Sequence, residues 1–267
     1  MEKTLEFPAL LQLIDERSAA FRAAVAAAPS LDVQVPTCPE WTLLDLVLHL
    51  GEVHRFWAAA VNAGPSADPP AESASEVIEA APREREALLA WSATSTRQLL
   101  DALGAAGPDR GCWTWWADSQ SPQVSDAVAR HQLQEVAVHT YDAQVTLGVP
   151  QPLPEEVALD GVEEFLFTCG TTTAAWPHEP AVLDFHATEG RSWRNWLSAD
   201  GSRASSLPAS GTVSASSAGA DADAAGASAS GTASELVLAF YRRVPVDSLR
   251  LDGDRRLFDL LMTWDLD

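Results

Sequence analysis

The sequence predicts an α+β protein, a four-helix bundle over residues 1–150 followed by a small α/β domain over residues 151–267. Three observations carry that expectation. Four long segments of the first half repeat apolar residues at steps of three and four. The connections between them are polar or rich in Pro and Gly, so their apolar stripes can only be buried against one another. After Pro154 the texture changes to one further helix and then to strand-like runs.

The first segment places Phe7, Leu10, Leu11, Ile14, Ser18, Phe21 and Val25 on one stripe and stops at Ala28-Pro29. The second opens after Pro39-Glu40-Trp41, with Thr42 as N-cap and Asp45 three residues on, and its stripe of Leu46, Leu50, Val53 and Trp57 runs to Gly64-Pro65. The third is expected from Pro82, a residue suited to a first helical turn, through Leu88, Ser92, Thr96, Leu99 and Leu103 to Gly104. The fourth runs from about Val124 through Val128, Leu133, Val136 and Val145 to Gly148-Val149-Pro150, where Gly and Pro end it. Trp113, Trp115 and Trp116 in the third connection are expected to pack on the bundle, with a pocket wall as the other reading.

In the second domain, Glu155–Thr168 reads as a helix and Ala181–His186 as a strand, followed by Gly190 and the Trp193/Trp196 pair. From Ala204 to Ser234 the chain is almost entirely Ala, Ser, Gly and Asp. Two readings stand: a long flexible loop, or a short strand at Ala227–Ser230. Thr232-Ala233-Ser234-Glu235 has capping-box form ahead of the apolar run Leu236–Tyr241, so a helix starts there. A strand around Ser248–Leu251 and a helix over Arg256–Thr263 complete the domain.

The composition bounds the function. With 46% hydrophobic and 21% charged residues in 267, the chain can bury one large core or two modest ones. Its 17 Lys and Arg against 38 Asp and Glu give a net charge of −21, which argues against nucleic-acid and membrane-surface partners. An anionic substrate must then meet a local group of arginines. Apolar stretches such as Leu43–Leu50 are interrupted by charge, far short of a membrane span. The amino terminus lacks the order of a signal peptide, and the expectation is a cytoplasmic protein, monomeric or weakly homo-oligomeric. Cys38, Cys112 and Cys169 are few, odd in number and scattered, which fits reduced thiols rather than a disulfide framework.

The candidate chemistry lies on the second and fourth helices. Glu135 and His139, four apart, share one helix face and can grip one ion, although such a pair also fits a solvated or bundle-satisfied polar face. His49 sits beside the Leu46/Leu50 stripe and so points toward the bundle interior, where an unpaired ring is costly. His49, Glu135 and His139 together make two imidazoles and a carboxylate with an open position, the pattern of catalytic zinc, and this set favours zinc over nickel or iron. His131 and His139 are separated by about 12 Å of helix rise, which leaves His131 out. His54, five residues after His49, turns away from the same point and reads as a surface or supporting group. Asp142 is placed to accept the other ring N–H of a ligating histidine, with capping or surface pairing as alternatives. Cys38 lacks an evident base and reads as structural before nucleophilic. No G-x-G-x-x-G after a strand, Walker loop or G-x-S-x-G elbow is present.

At these residues the chain resembles the mycothiol-dependent maleylpyruvate isomerase family. The matching text is Val35-Pro-Thr-Cys-Pro-Glu-Trp-Thr-Leu-Leu-Asp-Leu-Val-Leu-His49-Leu-Gly-Glu-Val-His-Arg55, then Gln134-Glu135-Val-Ala-Val-His139-Thr-Tyr-Asp142-Ala143. A third match is Gly231-Thr-Ala-Ser-Glu-Leu236 with Arg243 and Leu251-Asp-Gly-Asp254. The resemblance implies a DinB-like metal-binding bundle and a carboxy-terminal domain akin to sterol-carrier folds. It places the metal ligands on His49, Glu135 and His139, the set the residues themselves select. It further implies mycothiol as the thiol cosubstrate, acting on an anionic or electrophilic substrate: isomerisation of a maleylpyruvate-like cis-unsaturated acid, or S-transfer. Arg243 is the candidate for binding a carboxylate of the substrate or of the thiol, against the alternative of a surface arginine at a helix end. The family's Gly before the motif Trp is Glu40 here, the Arg after the last histidine is Thr140, and its Gly-Arg in the second domain is Arg242-Arg243. A non-catalytic metal-binding, ligand-sensing or interaction module is the competing class.

Overall fold

The computed structural model describes residues 5–66, 68–70, 74–208 and 224–264. They fall into two compact units, Met1–Trp115 with Gln123–Leu153, and Trp116–Pro122 with Pro154–Asp267. No helix among the described residues is long and apolar enough to cross a membrane.

The first unit contains α1 (Phe7–Ala27), a hairpin of β1 (Gln34–Val35) and β2 (Cys38–Thr42), α2 (Leu43–Ala63), a short α3 (Ala74–Glu79), α4 (Arg85–Ala106) and α5 (Ser125–Thr146). The hairpin runs directly into α2 because Thr42 belongs to both. Its side chain accepts from the Asp45 N–H while the Asp45 carboxylate accepts from the Thr42 N–H at 2.9 Å, a reciprocal cap. Gly64, at φ 80°, ends α2. Helix α1 packs on α4 and α5, and α2 on the same two. Phe21, Leu43, Leu46, Leu50, Leu88 and Val136 fill the core between them.

The third long helix begins later than the sequence suggests. The Glu84 side chain accepts from the Ala87 N–H at 3.1 Å, so this carboxylate caps α4 and Pro82 stays outside it. The same helix ends at Gly107, φ 71°, three residues beyond Gly104. The tryptophan expectation holds for Trp113, whose ring lies 5.7 Å from Phe56. Trp115 is 51% exposed, and Trp116, although buried, belongs to the second unit.

That second unit comprises α6 (Glu155–Thr168), β3 (Ala181–Ala187), β4 (Ser192–Ser198), β5 (Gly201–Leu207), β6 (Ala227–Gly231), α7 (Ala233–Phe240), β7 (Arg250–Gly253) and α8 (Arg256–Thr263). The strands form one sheet in the order β5-β4-β3-β6-β7. Only β3 and β6 run parallel. Strand alternation puts Leu183, Phe185, Trp193 and Leu197 into the core, with Phe185 directly opposite Trp193. Asp184 and Arg194, also opposite each other, pair through two hydrogen bonds of 2.6 and 2.8 Å. Helix α7 starts at the Thr232/Glu235 capping box.

Two expectations need correcting. The strand placed at Ser248–Leu251 begins at Arg250, because Val246–Ser248 close a 3₁₀ turn on the Pro245 carbonyl at 2.9 Å. The loop reading of Ala204–Ser234 fails at both ends, where backbone pairing outweighs weak side-chain propensity: Ala204–Leu207 lie in β5, and Ala227–Gly231 form β6 beside β3. Residues 209–223 of that stretch lie outside the described residues.

Helices α2 and α4 approach closely at Gly51, where a Cβ would stand 2.0 Å from the Trp91 ring. Gly51→Ala should therefore cost about 1–3 kcal/mol of stability by overpacking. Urea unfolding checks this; a midpoint equal to that of the unsubstituted chain would show that the contact yields freely.

Candidate metal centre

His49 lies in the second turn of α2, between core residues Leu46 and Leu50, and faces α5. Glu135 and His139 stand one turn apart on α5, in line with the spacing argument. The Glu135 Oε1 atom is the meeting point, 2.8 Å from His49 Nε2 and 3.3 Å from His139 Nε2. The three donor atoms lie within 4.8 Å of one another, close enough to hold one metal ion. Metal bonds of 2.0–2.2 Å in a tetrahedron put neighbouring ligand atoms about 3.4 Å apart, so the donor set needs little rearrangement to accept zinc. Exposure grades across the triad, from 30% for the His49 side chain to 7% for His139, which leaves one side open to solvent.

Behind His139 the arrangement is closed. Its Nδ1 is 2.8 Å from Asp142 Oδ2, and the Asp142 side chain is fully buried. The hairpin contributes two donors to that carboxylate: the Thr37 hydroxyl at 2.6 Å and, more weakly, the Cys38 thiol at 3.7 Å. Asp142 thereby fixes the His139 ring and directs its Nε2 toward Glu135. Trp41 of β2 lies across the two imidazoles, with ring centroids 4.6 Å from His49 and 5.9 Å from His139.

The charges of this group are set by burial and by each other. Burial alone would raise the Glu135 carboxyl, but the charge and hydrogen bond of His139, with the hydrogen bond of His49, hold it well below the usual carboxylate range. Burial would lower His139, yet Glu135 and Asp142 raise it to about 9. In the metal-free chain His139 is thus an imidazolium held between two carboxylates. A metal must displace that proton, so binding strengthens as pH rises.

The structure brings together His49, Glu135, His139 and Asp142. Arg243 lies in the other unit, just beyond α7, its Nη1 donating to the Tyr241 carbonyl at 2.8 Å. His131 packs against the Trp57 and Trp115 rings and is absent from the metal-capable groups of the described residues. Cys38, expected to be structural, joins His139 and Asp142 in a second such group. His54 is not a surface residue: it is 1% exposed, because it shares a face of α2 with Gly51 and Trp57. Its Nδ1 meets the Thr96 hydroxyl at 3.3 Å. Thr37 and Trp41 complete the surroundings of the centre, and the signal for them in the sequence is their place just before the capped helix.

His54 makes stability depend on pH. Burial, above all, pushes its pKa down to about 4, so it stays neutral in the fold while the unfolded chain takes up a proton near pH 6.5. The unfolded state then binds more protons between about pH 6.5 and 4, and stability falls as pH is lowered through that window, by on the order of 3 kcal/mol. His139, with a pKa raised from 6.5 to about 9, keeps its full contribution there and loses it progressively as pH rises from about 6.5 through about 9. Thermal unfolding from pH 7 to 4 should show this loss, and His54→Leu should flatten it; an unaltered slope would assign the effect to other groups.

Comparison with known proteins agrees with this architecture. Residues 11–144 match the domain described as "Mycothiol maleylpyruvate isomerase N-terminal domain", and residues 156–260 match the "MDMPI C-terminal domain". No curated protein sequence matches the chain. Two crystal structures of the mycothiol-dependent maleylpyruvate isomerase, one of a mutant, are similar in fold, with TM-scores of 0.59 and 0.57 at 14% identity. Each comparison covers 94% of this chain and 96% of the other. The two domain matches follow each other along almost the entire sequence, and by them this chain belongs to the mycothiol maleylpyruvate isomerase family.

Proposed function

We propose that this chain is a divalent-metal enzyme, with zinc preferred, that uses mycothiol to isomerise a maleylpyruvate-like cis-unsaturated keto acid in the cytoplasm. His49, Glu135 and His139 hold the metal. The observation that carries this reading is the single Glu135 oxygen shared by two imidazoles at 2.8 and 3.3 Å, one of them oriented by a buried aspartate. A zinc ion bound there supplies a Lewis acid that keeps net positive charge and so favours thiolate over thiol.

The chain's own residues do the rest. Asp142 keeps the His139 ring in place, and Thr37 and Cys38 keep Asp142 in place. Trp41 covers the imidazoles on one side and limits water there. Arg243 pairs with a carboxylate of the substrate or of the thiol, which an otherwise acidic protein needs in order to retain an anion. In the isomerisation the thiolate forms a C–S bond at one alkene carbon while the π electrons move toward the keto oxygen. The bond, now single, turns; the electrons return, the C–S bond breaks and the same thiolate leaves. No atom is gained or lost, so the thiol acts catalytically. S-transfer is the same addition without the second step.

Incubation with maleylpyruvate should give trans product only when mycothiol and metal are both present, and chelation should abolish turnover. Arg243→Ala should raise KM for the anionic substrate about tenfold or more with a smaller effect on kcat. An accumulating thiol conjugate would assign S-transfer instead, absence of any thiol-dependent turnover would assign a binding module, and an unchanged KM would remove Arg243 from the site.

A further inference from the structure

The second unit contains an apolar cavity of about 120 Å³, and none of the metal-capable residues lines it. Phe165, Phe185, Phe240, Leu261, Met262 and Trp264 line it, together with Arg242. Well-packed interiors leave few voids larger than one water, whose share of liquid volume is about 30 Å³, and an engineered apolar cavity of about 150 Å³ stays dry and binds benzene. The walls are of the right kind for a ring. Phe240 stacks on Phe165 at 4.9 Å and meets Phe185 edge-on at 5.0 Å, leaving ring faces and edges as the lining, with the Met262 thioether beside them. Besides Arg242 the lining carries the Cys169 thiol and Asn195, and Asn195 is engaged by the protein: its amide donates to the Gly170 carbonyl at 3.3 Å and its oxygen accepts from Ser202 at 2.8 Å.

Arg242 is the exception in this wall, and its backbone makes it more so. It has φ 59°, the one positive value outside glycine among the described residues. The Arg242 N–H bonds the Ala239 carbonyl at 3.0 Å and the Arg243 N–H bonds that of Leu238 at 2.7 Å, closing α7 in the manner that normally calls for glycine at this position. An arginine there is strained relative to glycine, and strain of this kind tends to persist where the side chain has a use. One guanidinium nitrogen, Nη2, donates to the Met262 carbonyl, which ties the side chain to the cavity rim. The group carries further N–H donors and is itself exposed, so it offers a cation at the entrance of an apolar chamber.

We infer that this cavity is a second binding site, for a small aromatic monocarboxylate of about benzoate size. The ring occupies the chamber and the carboxylate meets Arg242. The inference is independent of the metal-dependent reaction.

Benzoate is the probe, titrated into the full chain by calorimetry or ligand-observed NMR, with benzyl alcohol as its neutral counterpart. The unsubstituted chain should bind both and prefer benzoate. Arg242→Gly, which relieves the backbone strain and so should fold at least as well, should weaken benzoate about tenfold and leave benzyl alcohol unchanged. Met262→Phe, which fills the chamber, should abolish binding of both. Absence of benzoate binding overturns the inference. So does benzoate binding that neither substitution alters, because the carboxylate would then sit elsewhere, for instance at the metal-capable triad.

Discussion

A carboxylate half-buried between helices is costly unless it is paired, and Glu135 is paired twice. His49 on α2 and His139 on α5 meet the same oxygen, so the register between these helices and the site share one electrostatic condition. The apolar residues that flank the triad, Leu46 and Leu50 on one helix and Val136 on the other, hold the helices at the separation this pairing needs. Removing either imidazole would leave a charge in surroundings that no longer compensate it. The same condition suits a metal, which replaces the proton on His139 by a stronger cation without adding a new buried charge of the opposite sign.

The hairpin ahead of α2 connects local sequence to this centre. The Thr42/Asp45 cap fixes where α2 begins, and that fixes how far back β2 lies. Thr37, Cys38 and Trp41 then fall around Asp142 and the imidazoles as a consequence of chain length. Asp142 itself sits three residues after His139, one turn further on the same helix, which is why its contact is local and short. The centre is therefore built from two helix faces and one capped entry, and depends on no long loop.

Much of this could be read from residue order. The i, i+4 spacing of Glu135 and His139, the stripe beside His49 and the two capping boxes are local patterns, and local patterns survive translation into structure. What could not be read was set by packing or by backbone pairing. The helical angle of His54 differs from that of His49 and points to a peripheral place, but the close approach of α4 at Gly51 buries that face as well. Pro82 suits a helix start, yet Glu84 supplies the side-chain cap and displaces the boundary. Ala227–Gly231 has little strand propensity of its own; its strand exists through the neighbours β3 and β7. Arg242 in a left-handed conformation is likewise invisible in a sequence that shows only two adjacent arginines.

Metal content measured by mass spectrometry on protein purified without chelator, in parallel with His139→Ala, decides whether Glu135 and its two imidazoles form a metal centre. Near one zinc per chain, lost in the variant while the helical circular dichroism is retained, is the expected result. Metal absent from both proteins would mean that the triad is only a polar network within the bundle, and the thiol chemistry proposed for it would fall.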